Sequence, residues 1–482
     1  MTVSPPASRS GEDLGELTLA GRLAQRIGRQ IESQALRPGT RLASIRDLAR
    51  SAGVSRFTVV QAYDRLVAAG LVGSRRGSGF FVLPRPRPAL SPERPRTPAV
   101  PSRIDVSWLL RSMFVADAST AMPGSAGLLP PEWLDAEMVA SAVRAVGRSA
   151  RSSLVGYGHP QGFAPLRQQI AARLQAEGIT VHPERQIVTT AGVTQAIDLV
   201  VRHCVAPGDT VLVEDPGWFV VFGRLAAFGV RVVGVPRTAA GPDIEALERL
   251  AQLHRPRLFI VNSVVHNPTG HTLTAGAAYA VLRAAERYDF LVIEDDTYSE
   301  LHPGGAIRLA ALDGLARVIH VGGFSKMLAA SLRVGYIAAA PELALGLADV
   351  KMLTGLTSPE LGERVVHRVL ADGQYRRHVE RVRQRVDEAR ERCLQRLASL
   401  GVRMETAPQA GMFVWADCGC DSEALAREAA AQGMLLAPGI LFNPEQKPSS
   451  MMRFSVVSAD DESAWRTLAR LLPGAPPSVK FA

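Results

Sequence analysis

Residues 290–336 read FLVIEDDTYSELHPGGAIRLAALDGLARVIHVGGFSKMLAASLRVGY. Two apolar, β-branched runs, FLVIEDD (290–296) and RVIHVGG (317–323), each end in polar or glycine residues. Short runs of this kind, bounded by turn formers, predict buried strands. The pattern continues outward through QIVTT (186–190), DTVLVED (209–215), VRVVGVP (230–236) and RLFIVNS (257–263). Between them lie helical stretches such as GVTQAIDLVVRHC (192–204) and AAYAVLRAAERY (277–288). Alternating β and α patterns predict a mainly parallel sheet with helices on both faces. Ligands then bind beyond the carboxyl ends of the strands, which directs attention to the residues following each run.

Asp295 and Tyr298 follow FLVIE, Asn267 opens NPTG (267–270) after FIVNSVVH, and Lys326 follows VIHVGGFS. A helix starts after IVTTA, and Gly192 and Gly208 flank it. Each feature alone has an ordinary explanation: a strand-end Asp caps a helix, NPTG makes a turn, a lysine sits on the surface. Lys326, however, is one of only four lysines among 55 basic residues and lies in an apolar setting. Together an amine, a carboxylate, a phenol, an amide and a helix N-terminus suit one ligand, pyridoxal 5′-phosphate. Its aldehyde takes a lysine as a Schiff base, and its pyridine nitrogen takes a carboxylate. Its ring oxygen accepts from Tyr or Asn, and its phosphate fits a helix N-terminus plus a guanidinium. Arg333, seven residues after Lys326, is the obvious guanidinium.

These stretches also resemble the fold-type I aminotransferases over roughly residues 150–475, in the family order: YGHPQGFAPLR, TTAGVTQAIDL, VEDPGWFV, NPTG, IEDDTYSEL, GGFSKMLAASLRVGY and GMFVW…MMRFSV. The resemblance implies that Lys326 is the Schiff-base lysine, that Asp295 pairs with the pyridine nitrogen, and that Tyr298 and Asn267 contact the ring oxygen. It implies that Val193, Thr194, Ser325 and Arg333 hold the phosphate, that Trp218 stacks on the ring, and that Tyr157 reaches the phosphate of a partner subunit. Arg453 would grip a substrate or effector carboxylate. The chain departs from the family at Gly323, where a hydroxyl residue is common, at Val193-Thr194, where Ala-Gln is common, and at Trp218, where Tyr or Phe is usual. The first two departures are expected to loosen the phosphate cup.

Residues 14–83 read differently. Leu19, Leu23, Ile27 and Ile31, four apart, predict one helix face over 17–34. Ser44 caps a short helix (45–51), Gly53 makes a turn, and Ser55 caps a second helix (56–69) with Val59, Tyr63 and Leu66 on one face. LVGSRRGSGFFV (71–82) then predicts a β-hairpin. Helix, turn, helix and ribbon make an α+β winged helix-turn-helix. The second helix can enter a major groove with Arg56 and Thr58 at base edges. Ser44, Ser55 and their helix N-termini can meet phosphates, Arg46 offers a further cation, and Arg75 and Arg76 at the hairpin tip reach backbone or minor groove. Residues 41–82 resemble the GntR-type DNA-binding domain, with Ala43 where proline is common.

Charge agrees with this division. Of the formal +9, residues 1–83 hold twelve Arg against six Asp/Glu (+6), and 84–103 hold five Arg against one Glu (+4), so the rest sums to −1. Such a basic module on a near-neutral body points to a polyanion partner, double-stranded DNA, or else to a plain solvated surface. Seven prolines in residues 84–103 predict an extended linker, leaving 104–475 as the effector domain, with a smaller C-terminal α+β subdomain, and 476–482 as a tail. The 482 residues are 47% hydrophobic and 21% charged, which excludes a disordered chain. No apolar run is long enough for a membrane span or a secretory leader, so a cytoplasmic protein is expected. Cys204, Cys393, Cys418 and Cys420 are too few for a disulfide scaffold, and the lone C-x-C reads as incidental rather than metal-binding.

Head, proline-rich linker and aminotransferase-like body in this order resemble the MocR/GabR regulators. The resemblance implies a head-to-tail homodimer that binds pyridoxal phosphate and senses an amino compound, or the cofactor itself, through aldimine chemistry at Lys326. The alternative is a working aminotransferase that carries a DNA-binding head.

Overall fold

A computed structural model describes residues 18–33, 35–75, 78–84, 105–115, 127–149 and 155–473. Internal contacts divide the chain into two compact units, residues 1–96 and 97–482. The linker beyond Pro84 and the tail lie outside the described residues.

In the first unit, α1 (Leu19–Glu32), α2 (Ile45–Ala52) and α3 (Arg56–Ala68) precede the antiparallel hairpin β1 (Val72–Arg75) and β2 (Gly79–Val82). Thr18, Ser44 and Ser55 cap the three helices by accepting from an amide three residues on. Gly53, at φ +65°, ends α2 in the left-handed conformation that glycine adopts without strain. Leu23, Ile27, Ile31, Val59, Tyr63 and Leu66 form one core with Val72 and Val82. Leu19 shares the helical period but is 58% exposed, one turn beyond that core. The Tyr63 hydroxyl donates to the Ala43 carbonyl at 2.7 Å, which ties the loop before α2 to α3.

The second unit is built on an eight-stranded sheet: β3 (Ile187–Thr190), β4 (Thr210–Asp215), β5 (Arg231–Thr238), β6 (Gly241–Pro242), β7 (Leu258–Val261), β8 (Leu291–Asp295), β9 (Val318–Gly323) and β10 (Gly335–Ala338). Their spatial order is β3-β10-β9-β8-β7-β4-β5-β6. The strands β5, β4, β7, β8 and β9 run parallel. The antiparallel β10 enters between β9 and β3, and β6 pairs antiparallel at the far edge. Alternate side chains serve opposite layers: Leu212, Phe259, Val292 and Val318 join one core, while Val211, Leu258, Ile293 and Ile319 join the other. Both faces are therefore buried, as the nearly continuous apolar runs require. A smaller antiparallel sheet, β11 (Phe413–Asp417), β12 (Ala437–Pro438) and β13 (Met451–Ser455), has the order β11-β13-β12. Among the described residues no helix is long and apolar enough to cross a membrane, and the four cysteines are free thiols.

Candidate functional site

One pocket opens at the carboxyl ends of β4, β7, β8 and β9. Nine of the residues singled out from the sequence line it: Val193, Thr194, Trp218, Asn267, Asp295, Tyr298, Ser325, Lys326 and Arg333.

Asp295 ends β8 and is 7% exposed. Its Oδ1 accepts from the Thr297 amide at 3.0 Å and the Thr297 hydroxyl at 2.5 Å. Burial nevertheless outweighs these bonds and raises the carboxyl to about 6. Lys326 Nζ donates to the Gly127 carbonyl at 2.6 Å and lies 5.4 Å from the centre of the Tyr298 ring. Burial, then the nearby Arg453 charge, lower its pKa to about 8. Tyr298 packs edge-on against Phe413, and burial pushes its phenol above the ordinary value.

On the other side of the pocket, helix Val193–Cys204 begins at Gly192 without a side-chain cap. The first-turn amides of a helix have no intrahelical partner. Arg333 comes to this end: Nη2 donates to the Ala191 carbonyl at 2.9 Å and Nη1 to Ser325 Oγ at 3.4 Å. Gly192 is at φ +86°, and a Cβ there would lie 2.5 Å from Arg333 Nη2. Only glycine lets the guanidinium approach so closely.

Arg453 lies on β13, 2% exposed, behind Asn267, to whose Oδ1 its Nη1 donates at 2.9 Å. Its guanidinium is 4.2 Å from the Phe413 ring centre and 5.0 Å from that of Phe442, and burial lowers its pKa to about 10. Tyr157 is 84% exposed and is not among the residues lining this chain's pocket.

Asn262, which sequence reasoning passed over, organises the floor. Its Nδ2 donates to the Asp295 carbonyl at 2.6 Å, its Oδ1 accepts from the Asn267 amide at 2.8 Å, and its own amide donates to Glu214 Oε2 at 2.8 Å. Glu214 is in turn paired with the buried Arg237 and with His266. Asn262 directly follows β7 and Glu214 is the penultimate residue of β4, so the strand-end rule that found Asp295 also points to them.

In the first unit, Arg46 and Arg56 are exposed near the starts of α2 and α3. The Ser44 hydroxyl accepts from the Asp47 amide and donates to its carboxylate at 2.6 Å. Ser55 Oγ accepts from the Thr58 amide and lies 2.8 Å from Thr58 Oγ1. These hydroxyls thus cap their own helices, which leaves Arg46 and Arg56 as the exposed cations at the two helix starts. Arg75 closes β1 with its guanidinium 5.0 Å from the Phe81 ring centre. Arg76 lies outside the described residues.

Residues 118–471 match the family model "Aminotransferase class I and II", and residues 19–82 match "Bacterial regulatory proteins, gntR family". The chain is 28% identical over 468 residues to YdcR of Escherichia coli K12, named as an uncharacterized HTH-type transcriptional regulator, spanning 93% of this chain and 98% of that protein. It is 31% identical over 372 residues to MocR of Rhizobium meliloti, named as a probable rhizopine catabolism regulatory protein, spanning 75% of this chain and 73% of that one. The solved structure of LysN, an α-aminoadipate aminotransferase of Thermus thermophilus, is similar with a TM-score of 0.69 at 31% identity, over 76% of this chain and 94% of that chain. Class I and II aminotransferases are pyridoxal phosphate-dependent, and a gntR head is a DNA-binding module. The chain belongs to the aminotransferase class I and II family and, within it, to the transcriptional regulators that join such a domain to a gntR-type head.

Proposed function

We propose that the second unit holds pyridoxal 5′-phosphate at Lys326, and that an amine bearing a carboxylate, bound there, changes how the head grips promoter DNA. The observation that carries this reading is the meeting of Lys326 Nζ, buried Asp295 and the Gly192–Arg333 cup in one pocket. The cup suits a phosphate: a helix N-terminus without a side-chain cap, a guanidinium and a hydroxyl converge beside Gly192, where a Cβ would push the guanidinium away. When bound, the cofactor supplies an electrophilic aldehyde carbon and an electron-withdrawing ring.

The chain's own groups have separable tasks in this reading. Lys326 is a nucleophilic amine already half deprotonated near pH 8. Asp295 presents a carboxylate to the ring nitrogen, and a cation there reverses the burial penalty on that carboxylate. Tyr298 and Asn267 donate to the ring oxygen, and Trp218 stacks on the ring. Val193, Thr194, Ser325 and Arg333 hold the phosphate. Arg453, fixed by Asn267 and the phenylalanine rings, takes the effector carboxylate. Tyr157 serves the partner's site in a homodimer. Exposed leucines close in sequence support that dimer: Leu345 and Leu353 on one helix, Leu356 just past it, then Leu361, are 60%, 89%, 54% and 50% exposed.

Borohydride reduction of the protein with pyridoxal phosphate, followed by peptide mass spectrometry, is expected to find the adduct on the Lys326 peptide. Absence of that adduct overturns the reading. The depressed pKa of Lys326 also suits a base for proton transfer, which favours a second reading, a working aminotransferase. A single-turnover assay separates the two. Conversion to the pyridoxamine form and regeneration by a keto acid denotes an enzyme; an amine-bound state that persists and alters DNA affinity denotes a sensor.

A further inference from the structure

The outward face of α3 carries an aromatic side chain with no place in the fold. Val59, Ala62, Tyr63 and Leu66 turn inward and are at most 3% exposed. The opposite face shows Arg56, Phe57, Val60, Gln61 and Asp64. Phe57 is 69% exposed, and it occupies the second position of a helix held at its start by the Ser55 cap. The other aromatic rings of the head are engaged: Tyr63 with Phe80, and Phe81 beneath Arg75. Among the described residues Phe57 has no such partner. Val60, one turn on, extends the apolar strip at 36% exposed.

A single exposed apolar residue is commonplace on a protein surface. Position makes this one informative. It adjoins Arg56 in the first turn of the second helix of a helix-turn-helix, where side chains reach base edges. A phenyl ring neither donates nor accepts a conventional hydrogen bond. The apolar feature that the major groove presents is the C5-methyl group of thymine. The excess positive charge of residues 1–83 brings the same module to the phosphates that flank such a methyl group.

We propose that Phe57 is a specificity-determining residue that reads a thymine methyl in each half-site, beside the base or phosphate held by Arg56. This rests on the DNA-binding reading of the head. It adds that the preferred site carries a thymine whose methyl group, rather than its hydrogen-bonding edge, is recognised.

The test uses the full-length protein loaded with pyridoxal phosphate. Binding sites are selected from a random duplex pool, and each thymine of the selected duplex is replaced in turn by deoxyuridine, which removes only the methyl group. For the wild type, one replacement per half-site is expected to weaken binding about fourfold, the equivalent of ~0.8 kcal/mol for one buried methyl-sized group. F57A is expected to bind the parent duplex more weakly and to be indifferent to that same replacement. F57L, which keeps an apolar side chain, is expected to retain sensitivity. The inference is overturned if no thymine replacement affects the wild type, or if F57A keeps the wild-type affinity and sensitivity profile. It is likewise overturned if F57A changes only the oligomeric state, since Phe57 would then face protein. A pool that yields no enriched sequence defeats the DNA-binding reading itself, a result distinct from enrichment without methyl dependence.

Discussion

Val193 crowds Gly323 at the wall of the pocket. A Cβ on Gly323 would lie 3.2 Å from Val193 Cγ2 and 3.2 Å from the Val334 carbonyl oxygen. The two departures from the family pattern therefore belong together. The branched side chain at 193 crowds the position from which a side chain at 323 would start. Val193 is stiff about χ1 and the carbonyl is backbone, so neither yields cheaply. G323S should cost about 1–2 kcal/mol in urea unfolding, as overpacking does. V193A should recover part of that loss, making the double variant more stable than the sum of the single changes. Strict additivity, within about 0.3–0.5 kcal/mol, would mean the two residues do not share the space.

Asn262 gives a second prediction, because a single amide side chain joins the Asp295 carbonyl to the Asn267 backbone N–H. All three residues are buried. N262A leaves a buried acceptor and a buried donor without that partner, at about 1–3 kcal/mol for each group left unsatisfied. The thermal midpoint of the cofactor-free protein should fall accordingly. Affinity for pyridoxal phosphate should fall as well, since Asp295 and Asn267 lose their common support. A variant with unchanged melting and unchanged cofactor affinity would show that Asn262 only fills space.

Which parts of this were readable in advance follows from where the information is stored. The strands β4, β7, β8 and β9 are continuous apolar runs, and their ends deliver Asp295, Asn267 and Lys326 to one edge without any knowledge of pairing. The strand β10 is hard to read from sequence because GYIA is short, lacks alternation, and follows Arg333 in the left-handed conformation. Its insertion between β3 and β9 is a property of the assembled sheet. Asn262 looks unremarkable within RLFIVNS, since the Asp295 carbonyl meets it only when β7 and β8 pair. Arg453 is a candidate from the sequence, but its enclosure by Phe413 and Phe442 behind Asn267 is not legible there, because it depends on the small sheet meeting the large one.

The depressed amine of Lys326 has two measurable consequences. Burial and Arg453 bring it to about 8 from an ordinary 10.5. The rate at which cofactor-free protein captures pyridoxal phosphate should therefore rise through pH 8 and level off, instead of climbing toward 10.5. Between those two values the unfolded chain holds a proton that the folded chain has lost, so the stability of the cofactor-free protein gains with rising pH over that window. R453M removes the largest charge that lowers it and should shift the capture midpoint upward. A midpoint that stays in place or moves down would deny that Arg453 acts on the amine.

Arg56 and Arg46 are both exposed near helix starts in the head, yet they are expected to fail differently. Arg56 opens α3, the helix proposed to enter the groove, where a bidentate contact to a guanine edge is worth about 1–3 kcal/mol of discrimination. R56A should weaken binding to a selected operator by about tenfold or more and broaden the preferred sequence, while the dependence of affinity on salt still reflects the remaining phosphate contacts. Arg46, exposed in the first turn of α2, is the proposed contact to backbone phosphate. R46A should weaken all duplexes alike and lower the slope of log affinity against log salt by about one. Both variants should keep the visible absorbance of the bound cofactor, because the head and the pocket lie in separate units. If R56A leaves sequence preference intact and changes only the salt slope, α3 lies against the backbone and the groove assignment fails.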